Sequence, residues 1–291
     1  MAVKVQYPGV DTALEEDLKN AGALVRALGI GGALLDGKAY FDELKREVGA
    51  ELDYRRELEH LEQFRSLLAR WPDLVVPKGF PALSTGKVLV LEELEGPTLG
   101  ELAQRADHVP AAQRFAIGER LMRAIYGPFL FNRVVHADVH PGNFVVMSGD
   151  RLGVLDYGSV KVLSERFWRC YLTALASGVS GRPIDLLPLL REGGFEVGLP
   201  DDRARELLDA ICQIVGAPVS APHDFGGDQM ISRLVALKRA HTFDLMRIRP
   251  PAEALLFWRA MGGLSHNLRA LKASGDFRPF LRESLRELGM L

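Results

Sequence analysis

Short apolar runs broken by turn residues occupy the middle of the chain, and longer helical periodicities flank them. Val134-Val135, 144–147 and 152–155 each predict a brief strand, with Pro141-Gly142 before the second and Ser148-Gly149-Asp150 before the third. That pattern is a hairpin with a loop in front of it. Upstream, residues 2–6 alternate weakly and predict a strand, and 75–76 and 87–91 predict two more, separated by the turn residues Pro81 and Ser84-Thr85-Gly86. A helical pattern covers 11–28, capped by Asp11 or Thr12 and stopped at Gly29-Ile30-Gly31-Gly32. Those glycines follow a helix and lack the Gly-x-Gly-x-x-Gly order, so they read as a connection and not as a phosphate cradle. A long helix is predicted over 37–70, ended by Trp71-Pro72, with Leu44, Val48, Leu52, Leu58, Leu61, Phe64 and Leu68 as its apolar side. Helices over 101–105 and 112–131 lead into the hairpin. Beyond it the chain is mainly helical, over 164–178, 183–193, 201–215, 226–240, 251–273 and 278–289.

Composition narrows the class. With 47% hydrophobic and 25% charged residues the chain is a packed globular protein, and 291 residues allow one large domain or two lobes. Net charge is −2, and no run of Lys and Arg with interleaved aromatics supports nucleic-acid binding. The two cysteines, Cys170 and Cys212, lie in helical patterns without metal-ligand neighbours, which predicts buried thiols in a reducing compartment. No apolar stretch reaches the roughly 18 residues of a membrane span, and the end of the chain reads as a short amphipathic helix. The expectation is a soluble, cytoplasmic protein with peripheral membrane contact at most.

The candidate chemistry sits in the hairpin window. Asp138 lies on the entering loop, Asn143 at the start of the first strand and Asp156 directly after the second, so the three can converge at one end. Hard oxygen ligands suit Mg²⁺, which is usually held by one or two protein oxygens plus substrate phosphates. In the kinase layout a catalytic-loop Asp accepts a hydroxyl proton, an Asn five residues on holds one metal, and the aspartate of Asp-x-Gly holds another. Asp138 and Asn143 have that spacing, and Asp156-Tyr157-Gly158 stands in the Asp-x-Gly place. Asp and Asn at hairpin ends commonly cap turns and bind nothing; the whole set in one short window favours a phosphotransfer-type site. His136 reads as a structural hydrogen-bonding residue. His140 is open between loop packing and a contact to phosphate or acceptor. Lys4, flanked by valines, reads by itself as a solvent-facing strand residue.

The segment HADVHPGN, residues 136–143, resembles the UbiB (AarF) type of atypical kinase and, secondarily, the aminoglycoside and choline phosphotransferases. Residues 2–10, AVKVQYPGV, resemble the UbiB-type lysine strand, and 51–57, ELDYRRE, resemble that family's Glu-x-Asp signature. The resemblance implies an α+β, protein-kinase-like two-lobed fold: a small lobe over 1–94 with a reduced antiparallel sheet and a long helix, and a mainly helical large lobe over 95–291. It implies ATP and Mg²⁺ as cofactors, with Asp138 catalytic and Asn143 and Asp156 on the metal. Lys4 becomes a ligand of the nucleotide phosphates, with Glu57 as its partner and Glu51 as the alternative. Residues 91–96 resemble a kinase hinge, placing Glu92, Glu93 and Leu94 beside the adenine. No Ala-Pro-Glu sequence closes an activation segment, which argues against an ordinary protein kinase.

Members of that family also carry an alanine-rich nucleotide loop and a Lys-x-Gly-Gln segment ahead of the lysine strand. This chain starts at that strand, so a small lobe of about three strands with one open edge and a lowered nucleotide affinity are expected. Two functional classes stay open. One is an ATP-dependent kinase or ATPase acting in quinone (coenzyme Q) or isoprenoid-lipid metabolism, with a quinone precursor or lipid as partner. The other is a catalytically weak pseudokinase or binding module. A small-molecule kinase of the aminoglycoside or choline type is the third choice.

Overall fold

The computed structural model describes residues 1–9 and 53–291. The helix expected over 11–28 and the first part of the one expected over 37–70, Glu51 included, lie outside the described residues. Strand β1 (Ala2–Val5) is followed in this description by helix α1 (Tyr54–Leu68), strand β2 (Leu74–Val75) and strand β3 (Val88–Leu91). Helices α2 (Leu99–Ala103) and α3 (Ala111–Asn132) lead to β4 (Val134–His136), the hairpin β5 (Phe144–Met147) and β6 (Arg151–Val154), and β7 (Val160–Val162). The remaining longer helices are α4 (Glu165–Ser180), α5 (Leu186–Glu192), α6 (Asp201–Val215), α7 (Met230–Ala240), α8 (Ala252–Ala270) and α9 (Arg278–Glu287). Among the described residues no helix is long and apolar enough to cross a membrane.

β1 pairs antiparallel with β3, with Lys4 opposite Leu89. β4 pairs antiparallel with β7, and β5 with β6. The strand expected at 75–76 corrects the sequence reading: Leu74–Val75 does not extend the small-lobe sheet but runs parallel to β6, Leu74 opposite Leu152 and Val75 opposite Gly153. A two-residue apolar strand carries no signal for its partner. Here Leu74 is buried and the Leu152 N–H donates to the Asp73 carbonyl at 2.8 Å, so the exit of α1 is tied to the hairpin. Among the described residues the small-lobe sheet therefore has two strands, where about three were expected.

Side-chain spacing explains α1. Asp53 caps it by accepting the Arg55 N–H, and Tyr54, Glu57, Leu61, Phe64 and Leu68 fall on one buried face. The core collects Phe64, Leu121, Ile125, Phe129, Phe144, Phe167, Phe257 and Leu281 from α1, α3, β5, α4, α8 and α9. The helix expected over 226–240 starts only at Met230. Its first residues are taken by a turn in which Asp224 accepts the Gly226 N–H and Asp228 accepts the Met230 N–H, and 223–224 pairs with 274–275. The helix expected over 251–273 ends at Ala270, after which Lys272 adopts a left-handed φ of 51°.

Candidate active site

Lys4 reaches from β1 to two acids at once. Its Nζ lies 3.1 Å from Glu57 Oε1, 3.0 Å from Glu57 Oε2 and 3.1 Å from Asp156 Oδ2, and 5.0 Å from the centre of the Tyr54 ring. Glu57 is 3% exposed, because it occupies a position of the apolar stripe of α1. Burial, then the Asp156 carboxylate, pushes the Glu57 carboxyl above its ordinary range, against the opposing pull of Lys4. For Lys4 burial acts to lower the ammonium, but Asp156 and then Glu57 outweigh it and hold it above its usual value.

Asp156 follows β6 with φ of 58°, a left-handed conformation that costs a non-glycine residue about 1–2 kcal/mol. Its neighbours enforce it. The Leu155 N–H donates to the Asn143 carbonyl at 2.8 Å, the Tyr157 ring is buried with its hydroxyl donating to the Val154 carbonyl, and the Gly158 N–H donates to Asp156 Oδ1 at 3.2 Å. The carboxylate is therefore aimed at Lys4.

Asn143 and Asp138 form the second half of the site. Asn143 Nδ2 donates to Asp138 Oδ2 at 2.7 Å and to the Asp138 carbonyl at 3.1 Å. The amide nitrogen is thus committed to Asp138, which leaves the Asn143 Oδ1 as the end that can face a cation. Asp138 Oδ1 accepts from Arg259 Nη2 at 3.2 Å. With Asp156, Asn143 offers two hard oxygen donors, and no cluster of three or more His, Cys, Asp or Glu forms a cage among the described residues. That donor set fits Mg²⁺, which takes few protein ligands when phosphates supply the rest.

The histidines are structural in their contacts. His136 is buried, its Nε2 lies 3.3 Å from the Leu155 carbonyl, and its ring packs edge-on to Phe64 and Tyr157. Burial pushes it down and so favours the neutral ring. His140 Nδ1 accepts the Gly142 N–H at 3.1 Å. In the stretch expected to resemble a hinge, Glu92 Oε2 accepts the Lys78 N–H at 3.0 Å, Glu93 Oε2 lies 3.3 Å from the Met1 amino group, and Leu94 lies against Gly153 of β6. Sequence reasoning missed Tyr54, His60 (Nδ1 3.0 Å from the Tyr157 carbonyl) and Arg259. The first two share the α1 face or its flank with Glu57; for Arg259, far along the chain, no local signal exists.

A family model, the ABC1 atypical kinase-like domain, matches residues 1–181. The chain belongs to the ABC1 atypical kinase-like family. It is 26% identical over 287 residues to "Atypical kinase coq-8, mitochondrial" of Caenorhabditis elegans, covering 94% of this chain and 37% of that protein. It is 28% identical over 288 residues to "Atypical kinase COQ8, mitochondrial" of Schizosaccharomyces pombe, covering 96% and 45%. The chain spans less than half the length of these relatives. A solved structure, the complex of Rv3197 with erythromycin from Mycobacterium tuberculosis, superposes with a TM-score of 0.69 at 23% identity, over 98% of this chain and 70% of that one. That likeness is one of fold, and it agrees with the α+β, kinase-like architecture of the ABC1 domain.

Proposed function

We propose that this ABC1-family chain is an atypical kinase or ATPase that works on Mg-ATP. The observation that carries the reading is the meeting of Lys4, Glu57 and Asp156 from β1, α1 and the end of β6, beside the bonded pair Asp138–Asn143. Mg-ATP would supply the phosphoryl donor and the charge that neutralises its phosphates. Lys4, positioned by Glu57, would hold the phosphates; Asn143 Oδ1 and Asp156 would hold the metal. Asp138 would take the proton of an acceptor hydroxyl or orient a water, as the corresponding aspartate does in kinases. Glu92, Glu93 and Leu94 would line the adenine side, and the division into lobes over 1–94 and 95–291 follows the same layout. The family supports a setting in coenzyme Q or isoprenoid-lipid metabolism, with a quinone precursor or lipid as the acceptor-side partner and peripheral membrane contact. A second reading, a catalytically weak pseudokinase or binding module, would keep the same residues for Mg-nucleotide binding without turnover.

Thermal stabilisation and turnover with Mg-ATP and Mg-ADP separate the readings. At a hundredfold excess over Kd a native-state ligand adds about 2.7 kcal/mol, an easily read shift. Asp156→Ala should lose the metal-dependent shift, and Asp138→Asn should keep it while retaining only a small residual turnover. Equal nucleotide affinity in wild type and Asp156→Ala would sink the metal assignment. A shift without turnover in the wild type would favour the binding module.

A further inference from the structure

The candidate base Asp138 is gripped from behind by a helix that lies wholly outside the residues matched by the family model. Three residues of α8 at four-residue intervals, Arg259, Gly263 and Asn267, share one face of the helix, and all three meet residues 138–139. Arg259 Nη2 donates to Asp138 Oδ1 at 3.2 Å. At Gly263 the two backbones are so close that a Cβ would stand 2.8 Å from Val139 Cβ and 3.2 Å from the Val139 carbonyl oxygen. Asn267, 1% exposed, donates its Nδ2 to that same carbonyl at 3.1 Å. The neighbouring face of α8 is held in the core by Ala260, Leu264 and Leu268, so the stripe is a fixed surface.

We infer that Arg259 is a positioning residue for Asp138, the outermost member of an α8 stripe that sets the catalytic loop. The inference rests on the phosphotransfer reading of the site. A carboxylate fixed at one oxygen can still swing about its last bond; Asp138 is held at both, Oδ2 by Asn143 and Oδ1 by Arg259. An ionised carboxylate offers about four lone-pair directions, so two remain for an acceptor hydroxyl or a water after both bonds are made. Arg259 therefore fixes the plane of the base without consuming its capacity to accept a proton. Asn267 fixes the backbone one residue on, and Gly263 lets the helix come close enough for both to reach.

Three features set the expected outcome apart from a general loss of structure. Arg259 is 48% exposed and Asp138 33%, so replacing the arginine leaves no buried charge uncompensated and the melting temperature should hardly move. Lys4, Asn143 and Asp156 are untouched, so the KM for Mg-ATP should stay within about twofold. Misorientation of a reacting group by about 1 Å can cost a hundredfold, so Arg259→Gln should lower kcat at least about tenfold. Arg259→Lys, which keeps a cation of similar reach, should recover part of it. In the Asp138→Asn background Arg259→Gln should cost nothing further, because residues acting through one group are not additive.

The experiment is Mg-ATP turnover by this chain and these four variants, with Mg-ADP binding followed in parallel. A kcat loss with unchanged KM, partial rescue by lysine and no added loss in the double variant supports the positioning role. Wild-type turnover with Arg259→Gln at full kcat, or a double variant clearly worse than Asp138→Asn, overturns it alone. Absence of turnover in a wild type that binds Mg-ADP overturns the phosphotransfer reading and this inference with it.

Discussion

The two adjacent glycines of α8 give a test in which most of the energetics cancels. Gly262 and Gly263 both lie in the interior of one helix, so replacing either with alanine gains the same helix propensity, about 1 kcal/mol. They differ in what a new methyl meets. At Gly262 nothing lies within 4 Å, whereas at Gly263 it would stand 2.8 Å from Val139 Cβ and 3.2 Å from the Val139 carbonyl oxygen. Neither atom is the end of a flexible side chain, so the clash resolves only by moving α8 or the loop, a cost of about 1–3 kcal/mol for overpacking. For a chain of this length each kcal/mol is worth about 2 °C in Tm. Gly262→Ala should therefore raise Tm by about 2 °C, and Gly263→Ala should leave it between unchanged and about 4 °C lower, a gap of about 2–6 °C. Scanning calorimetry or a urea titration on the two variants, side by side, measures the gap directly. Equal increases in the two would show that α8 and the Asp138–Val139 segment are not in close contact, and the account of how that segment is held would fail with it.

Other outcomes follow from the buried groups. The folded-state pKa of Glu57 is raised, so between the unfolded value and that higher one the native protein holds a proton the unfolded chain has released. Unfolding then releases a proton, and this contribution to stability is full at low pH and declines as pH rises through the window. Glu57→Gln should remove that decline, so the stability curves of wild type and variant, measured by urea midpoint from pH 4 to 8, should converge or cross; parallel curves would refute the burial argument. The Cys170 thiol, buried and pushed up to about 12, should resist alkylation in the folded protein at pH 8, where its thiolate fraction is about 10⁻⁴. Labelling with mass-spectrometric readout checks this, and rapid modification of Cys170 before unfolding would contradict it.

Much of the site is local in the chain, and to that extent it was legible before any coordinates. Pro141-Gly142 and Ser148-Gly149-Asp150 bracket apolar runs short enough to be strands, so Asp138, Asn143 and Asp156 could be placed at one end of a hairpin from turn chemistry alone. Lys4 was different: its strand alternates weakly, and its meeting with Glu57 was expected only through the family resemblance. The helix pattern of α1 read Leu58 as its apolar side, whereas the buried face runs through Tyr54 and Glu57. A charge on a core stripe looks, one residue at a time, like any other exposed charge. Two things were out of reach in principle. The partner of Leu74–Val75 depends on which sheet edge lies within range, and Arg259 meets Asp138 only because α8 packs across the loop. Neither leaves a trace in local periodicity.

The pairing of β2 with β6 has a mechanical consequence. Three ties join α1 and its exit to the part of the chain that carries Asp156: the β2–β6 pairing, the Leu152 N–H to Asp73, and His60 against the Tyr157 carbonyl. Glu57 and Asp156 are thus tied together, and the β1–β3 ribbon that brings Lys4 is joined to the same helix where the Tyr54 N–H donates to the Gly86 carbonyl at 3.1 Å. The ion contact works like a bolt entered into two keepers fixed to the same door frame. Because both acids are fixed to one frame, a displacement of the lysine from that frame lengthens both ion contacts, and the two carboxylates keep or lose their shared cation together.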